Sequence, residues 1–134
     1  MNLLLDTHIL LWALTEDTRL PEKARGMILD EKNAIYYSVV SVWEIAIKHA
    51  NHPENVEMTG KEFAKACQEA GYLSLEMRDK HAFALETIKR QEGAPPHHDP
   101  FDRMLIAQAK EENMSLITHD GLLAYYDEKC IISV

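Results

Sequence analysis

The most informative stretch of this chain is His97-His98-Asp99-Pro100-Phe101-Asp102-Arg103-Met104-Leu105-Ile106-Ala107-Gln108-Ala109. Asp99 is a good helix N-cap and Pro100 suits the first helical position, so a helix is predicted to begin here. The apolar residues that follow, 104–107 and 109, indicate that this helix is buried. Asp99 and Asp102 are therefore expected at the start of a buried helix, where unpaired backbone N–H groups favour anions.

Length and composition limit the class of protein. The chain has 134 residues, which predicts a single domain over 1–134, and its net charge of −8 argues against a nucleic-acid binder with a basic surface. The charge still allows a nuclease whose acids hold divalent cations. No signal peptide or membrane span is recognised, and Cys67 and Cys130 are too isolated for a disulfide framework, so we expect a cytoplasmic protein.

Short apolar runs alternate with helical stretches along the chain. Strands separated by helices imply right-handed crossovers and a parallel sheet covered on both faces. The predicted fold is a three-layer α/β/α domain with a mostly parallel sheet of about five strands. The predicted strands are 2–5, 34–40, 72–75, 115–118 and 129–134. The predicted helices begin near 9, 21, 41, 59, 79, 99 and 121. The helix that begins near 79 is expected to extend to about residue 91.

Four acids are predicted at one edge of this sheet, because ligands of open α/β sheets bind beyond the carboxyl ends of the strands. Asp6 ends the first strand and Asp120 follows the fourth, whereas two others begin helices next to strands. The four acids are Asp6, Glu44, Asp102 and Asp120.

Each of these acids has a local alternative as a helix cap. Glu44 has the spacing of a capping-box partner for Ser41, Asp102 has the same spacing from Asp99, and Asp120 suits a turn or N-cap before a glycine. For Asp6, at the end of an apolar strand, a purely structural role is harder to find. Clustered carboxylates repel one another unless a counter-charge is present, so one site for hard divalent cations explains the set better than four separate caps.

An all-oxygen donor set suits Mg²⁺ or Mn²⁺, and two such ions stabilise the attacking and leaving oxygens of a phosphodiester. The chain has none of the motifs of a serine hydrolase, a P-loop NTPase or a dinucleotide-binding enzyme. Adjacent His97 and His98 should point in different directions. Loop ordering or substrate contact is therefore a better expectation for them than joint metal ligation.

The chain resembles PIN-domain ribonucleases, and among them the VapC-type toxins of bacterial type II toxin–antitoxin pairs. The matching blocks are Leu4-Leu5-Asp6-Thr7-His8, Ser41-Val42-Trp43-Glu44-Ile45-Ala46-Ile47-Lys48, residues 97–109 and Leu116-Ile117-Thr118-His119-Asp120. The resemblance implies a metal-dependent endoribonuclease, with Mg²⁺ or Mn²⁺ as cofactor, whose catalytic metal ligands are Asp6, Glu44, Asp102 and Asp120. Asp99, Thr7 and Thr118 are then supporting residues.

The resemblance also implies an RNA substrate, cleavage that leaves a 5′-phosphate, a homodimer and an inhibitory antitoxin protein. Arg103, Lys48 and His98 are candidate substrate contacts, although helix-surface ion pairs are an alternative for the first two. Trp12 and Trp43 are candidate antitoxin contacts or core residues. Two other functions stay open. They are a catalytically silent PIN-fold module that binds an antitoxin or regulatory partner, and a different phosphotransfer domain of similar architecture.

Overall fold

The computed structural model describes residues 1–134, and a five-stranded sheet lies at its centre. The strand order is β3-β2-β1-β4-β5, and each neighbouring pair is parallel. The predicted parallel sheet is therefore confirmed, and it is parallel throughout. The strands are β1 (Asn2–Leu5), β2 (Ala34–Ser38), β3 (Leu73–Leu75), β4 (Ser115–Thr118) and β5 (Ile131–Ser133).

Helices connect the strands and cover both faces of the sheet. None of them combines the length and the apolar character that a membrane span requires. The helices are α1 (Thr7–Leu14), α2 (Glu22–Leu29), α3 (Val39–Asn51), α4 (Gly60–Glu69), α5 (Asp79–Leu85) and α6 (Pro100–Glu112), with a short 3₁₀ helix at Gly121–Tyr125.

The side chains of β1 alternate between the two faces of the sheet, and the core accordingly consists of two clusters. Leu4 packs on one face of the sheet with residues of α5 and α6, whereas Leu3 and Leu5 pack on the other face with residues of α1, α2 and α4. Successive side chains of a strand point to opposite faces, so a run of three leucines serves both clusters. This burial holds the carboxyl end of β1, and with it Asp6, at a defined edge of the sheet.

The boundary between β2 and α3 differs from the prediction. The strand ends at Ser38 and not at Val40, and Ser38 is the N-cap of α3 because its Oγ accepts a hydrogen bond of 3.0 Å from Val40 N. The Ser38 hydroxyl in turn donates to Gln108 Oε1 at 2.5 Å, which fixes the cap against α6. The prediction of a capping box formed by Ser41 and Glu44 is therefore wrong, and the Glu44 side chain is available for another role.

The helix expected over 79–91 ends early, at Leu85. Beyond it the backbone forms hydrogen bonds with the end of the 3₁₀ helix and the residues just after it: Gln91 N donates to Tyr125 O, and Asp127 N donates to Lys89 O, both at 2.8 Å. These long-range hydrogen bonds replace the last turns of the expected helix.

Candidate metal centre

Three acids of the sheet edge cap helices through their Oδ1 atoms. Asp6 accepts a hydrogen bond from Ile9 N at 2.9 Å, and Asp120 accepts one from Leu122 N at 2.9 Å. Asp99 accepts bonds from the N–H groups of Phe101 and Asp102, at 2.9 and 3.1 Å. Asp6 therefore has a structural duty that its position after an apolar strand did not reveal. A cap occupies one oxygen and aims the second in a fixed direction, so capping and ligation are compatible.

Thr118 links the acids of the two neighbouring strand ends. Its Oγ1 donates a short hydrogen bond to Asp6 Oδ2 and accepts one of 3.1 Å from Asp120 N. Asp6 is only 4% exposed, and this burial raises the pKa of its carboxyl, against the opposing effect of the bonds from Ile9 and Thr118. The structure thus places Thr118 between two predicted site residues.

Glu44 is buried at the same edge and is held by two partners. Thr7 Oγ1 donates to Glu44 Oε1 at 2.7 Å and lies 2.9 Å from Ser41 Oγ. Lys48, one turn further along α3, forms a close ion pair with Glu44 Oε2. Of the two roles considered for Lys48, the structure shows the helix ion pair.

Asp102 shows the electrostatic consequence of this arrangement. Its pKa is raised to about 8, first by burial and then by the like charges of Asp99, Glu44, Asp6 and Asp120. The other three acids predicted from the sequence therefore lie close enough to Asp102 for their charges to raise its pKa. A divalent cation bound beside Asp102 would favour the ionised carboxylate, against both of these effects.

His97 is the site residue that the sequence analysis did not select. Its imidazole is buried, with Nε2 3.2 Å from Asp102 Oδ2 and Nδ1 2.7 Å from the Tyr126 hydroxyl. Burial also lowers its pKa, which favours the neutral ring. The neighbouring His98 is exposed, so the two histidines do point in different directions. The available signal was the position of His97, between the rigid Pro95-Pro96 pair and the Asp99 cap.

The residues present suit a divalent cation. Asp102 Oδ1 and Asp120 Oδ2 accept no hydrogen bond, and ligand atoms of His97, Asp102 and Asp120 all lie within 4.8 Å of one another. Carboxylate oxygens are the donors that Mg²⁺ and Mn²⁺ prefer, whereas both nitrogens of the His97 imidazole already have hydrogen-bond partners. A cation here would also offset the repulsion among the clustered carboxylates.

The surroundings of the acids are aromatic. A hollow of ≈ 240 Å³ is lined by Asp6, Asp120, His8, Trp12 and His119, and the Trp12 ring lies 5.9 Å from that of His8 and 5.8 Å from that of His119. On the far side of Glu44, the exposed ring of Trp43 stacks edge-on against Phe101 at 5.0 Å. Trp43 is therefore not a core residue.

Comparison with known proteins identifies the fold and the family. No curated protein sequence matches the chain. Among solved structures, the chain is similar to the crystal structure of VapBC2 from Rickettsia felis bound to a DNA fragment from their promoter, with 16% identity, a TM-score of 0.67, and coverage of 100% of this chain and 98% of that chain. At this identity the likeness shows a shared fold. The sequence model of the PIN domain matches residues 3–129, and the chain therefore belongs to the PIN domain family.

Proposed function

We propose that this protein is a metal-dependent endoribonuclease, the cytoplasmic toxin of a type II toxin–antitoxin pair. The observation that carries the proposal is geometric: carboxylate oxygens of Asp102 and Asp120 lie within 4.8 Å of each other, one oxygen of each accepts no hydrogen bond, and Thr118 joins Asp120 to Asp6. Burial and the like charges of the neighbouring acids raise the pKa of Asp102 to about 8, in keeping with this arrangement. Membership of the PIN domain family and the shared fold with VapBC2 support the same reading.

In this proposal Asp6, Glu44, Asp102 and Asp120 hold Mg²⁺ or Mn²⁺ and form the catalytic site. A divalent cation there would supply Lewis acidity, lowering the pKa of water and neutralising charge on a phosphodiester. Attack by water needs no nucleophile from the protein, and cleavage would leave a 5′-phosphate.

The chain's own residues hold the carboxylates in place. Thr118 orients Asp6 through its short hydrogen bond, Thr7 orients Glu44 at 2.7 Å, and the Asp99 cap fixes the first turn that carries Asp102. Such supporting bonds reduce the freedom of a ligand before the metal arrives. The N–H groups at the start of α6 also favour anions at this place.

The RNA substrate requires cationic contacts near the cluster. Arg103 forms no ion pair with a carboxylate, and His98 is exposed beside the start of α6, so we assign phosphate contacts to these two residues. Lys48 forms an ion pair with Glu44 in the metal-free protein. It can reach phosphate only if a cation replaces it as the partner of Glu44.

A groove beside the cluster suits the antitoxin. It has a volume of ≈ 520 Å³, shares His8 and Trp12 with the hollow at the acids, and is lined by both apolar and acidic residues. Apolar walls with acidic rims fit an apolar segment that carries basic side chains. The apolar lining residues are Leu11, Trp12, Val56 and Met58. Of the acidic ones, Asp17 is paired with Arg19, which also lines the groove, so Glu54 and Glu57 are left to meet basic side chains.

RNA cleavage with purified protein tests the proposed activity. Wild type should cut RNA in Mg²⁺ or Mn²⁺ and lose this activity in a chelator, whereas Asp102→Asn and Asp6→Asn should be inactive although folded. Asp127→Asn, an exposed acid outside the cluster, is the matched control and should cut as wild type does. Undiminished, metal-independent cleavage by Asp102→Asn would contradict the proposal.

Calorimetry with Mn²⁺ separates the enzyme from a catalytically silent module. An enzyme binds Mn²⁺ and loses this binding with Asp102→Asn. Wild type that neither binds Mn²⁺ nor cuts RNA, yet associates with the antitoxin, indicates the silent PIN-fold module instead.

A further inference from the structure

The four clustered acids differ in what holds them. Asp6 and Asp120 are fixed by backbone N–H groups at helix starts, and Glu44 is fixed by a threonine and a lysine on its two oxygens. Asp102 receives a side-chain hydrogen bond from one residue alone, His97, at Oδ2. Its other oxygen stays free. The orientation of this carboxylate therefore depends on the imidazole.

We propose that His97 is a positioning residue, which fixes the Asp102 carboxylate through its Nε2–H and is itself fixed by the hydroxyl of Tyr126. The proposal rests on the proposed function, because it assigns a role toward the divalent cation that Asp102 would bind. The chain of contacts has distances of 3.2 Å from Asp102 Oδ2 to His97 Nε2 and 2.7 Å from His97 Nδ1 to Tyr126 Oη.

The partners decide which ring nitrogen carries the hydrogen. The ionised carboxylate of Asp102, which is the form that binds a cation, only accepts, so its hydrogen bond with His97 requires the hydrogen on Nε2. In a neutral imidazole Nδ1 is then the acceptor, and the Tyr126 hydroxyl must donate to it. Tyr126 thus selects the tautomer that can hold Asp102.

Tyr126 is a rigid anchor for this purpose. It is 4% exposed, belongs to the core cluster under α6, and its ring meets His97 edge-on at 5.5 Å. The Arg90 guanidinium lies 5.3 Å from the centroid of the same ring, and the backbones of Arg90 and Tyr126 pair in an isolated antiparallel bridge. An anchor held on several sides gives His97 little freedom to rotate. The geometry at Asp102 is therefore preset before a cation binds.

Mn²⁺ calorimetry on three variants tests the role. His97→Ala should bind Mn²⁺ about 10- to 100-fold more weakly than wild type, which is the usual effect of losing a residue that orients a metal ligand. His97→Gln, whose amide N–H reaches a similar place, should recover part of the affinity. Tyr126→Phe should weaken binding although it leaves both Asp102 and His97 in place.

His81 provides the matched control. It is also a fully buried histidine on a carboxylate, with Nε2 2.9 Å from Glu112 Oε1, but Glu112 ends α6 whereas Asp102 begins it. His81→Ala should lower the free energy of unfolding and leave the Mn²⁺ affinity within about twofold of wild type. Equal losses of Mn²⁺ affinity in His81→Ala and His97→Ala would show a general structural effect and overturn the proposal.

Spectroscopy adds a readout that a merely structural role would not move. ¹⁵N NMR of the Mg²⁺-saturated protein, in which Asp102 is ionised, should show the Nε2–H tautomer of His97, and Tyr126→Phe should yield a mixture of tautomers. Pulsed EPR of the Mn²⁺ complex should show no coupling to an imidazole nitrogen, because His97 orients a ligand and is not one. Such a coupling, the opposite tautomer, or unchanged Mn²⁺ affinity in folded His97→Ala each overturns the proposal.

The outcomes also separate this proposal from the proposed function. If wild type binds Mn²⁺ but cuts no RNA, the endoribonuclease fails while the role of His97 is still decided by the variants. If wild type cuts RNA and His97→Ala binds Mn²⁺ equally well, the positioning role fails and the endoribonuclease stands. Wild type that binds no Mn²⁺ overturns both.

Discussion

Thr7 donates a hydrogen bond of 2.7 Å to Glu44, a residue 37 positions further along the chain. The bond joins the first turn of α1 to α3 and is buried, so it affects both the stability of the fold and the direction of a predicted metal ligand.

Replacing this hydroxyl by a methyl group should affect both properties. In Thr7→Val a buried carboxylate oxygen loses its donor, which should lower the free energy of unfolding by about 1–3 kcal/mol. The Mn²⁺ affinity should fall as well, because Glu44 is less constrained. Urea denaturation and calorimetry measure the two effects. Thr7→Ser keeps the donor and should stay close to wild type, so a similar loss in both variants would contradict this explanation.

The pKa of Asp102 predicts how stability depends on pH. Its pKa is about 8 in the folded protein, against an ordinary value of 3.8, so between these values the folded state keeps a proton that the unfolded chain releases. The stability of the metal-free protein should therefore decline as pH rises from about 4 to about 8. Asp102→Asn remains neutral and should remove much of this decline.

Thermal unfolding in a chelator, recorded at intervals from pH 4 to pH 9, measures this effect. Asp127→Asn serves as the reference, because it removes an exposed carboxyl outside the cluster. The same decline in wild type and in Asp102→Asn would show that another group is responsible.

Gly60 lies where α3 and α4 approach each other closely. A Cβ atom at this position would lie 3.0 Å from Ala46 Cβ and 3.2 Å from Val42 O. Gly60→Ala should therefore lower the free energy of unfolding by about 1–3 kcal/mol. Gly26, inside α2, has no heavy atom within 4 Å of such a Cβ, so Gly26→Ala should raise it by about 0.5–1 kcal/mol. Chemical denaturation of both variants checks the contrast, and a stabilised Gly60→Ala would refute the close approach.

One face of α3 is apolar and exposed. Val39, Trp43 and Ile47 follow one another at helical spacing and are 41%, 54% and 36% exposed. If the protein is a homodimer that uses this face, Ile47→Glu should give a monomer in light scattering. Leu29→Glu, at an apolar side chain that is 71% exposed on α2, should leave the dimer intact. Monomeric wild type, or a dimeric Ile47→Glu variant, would rule out this face.

Local patterns in the sequence predicted those features that depend on near neighbours. Asp99 caps α6 with Pro100 in the first turn, and a capping box of Thr59 and Glu62 lies at the predicted start of α4. These motifs join atoms three residues apart, so the residues themselves specify the geometry.

Where two local patterns competed, distant contacts decided between them. Ser38 and Ser41 are both suitable N-caps for α3, and the hydrogen bond of Ser38 to Gln108, 70 residues away, selects the first. His97 and His98 are chemically equal in the sequence. The chain path buries one of them between Asp102 and Tyr126 and exposes the other.

The sequence by itself determined the parallel α/β fold, several of the helix starts and the acids that follow strand ends, because apolar periodicity and capping act over a few residues. Only the tertiary structure decided how these acids are held. Thr118 reaches Asp6 across 112 residues because β1 and β4 are neighbours in the sheet. Hydrogen bonds between such distant residues form only after the strands have paired, and no local pattern in the chain encodes them.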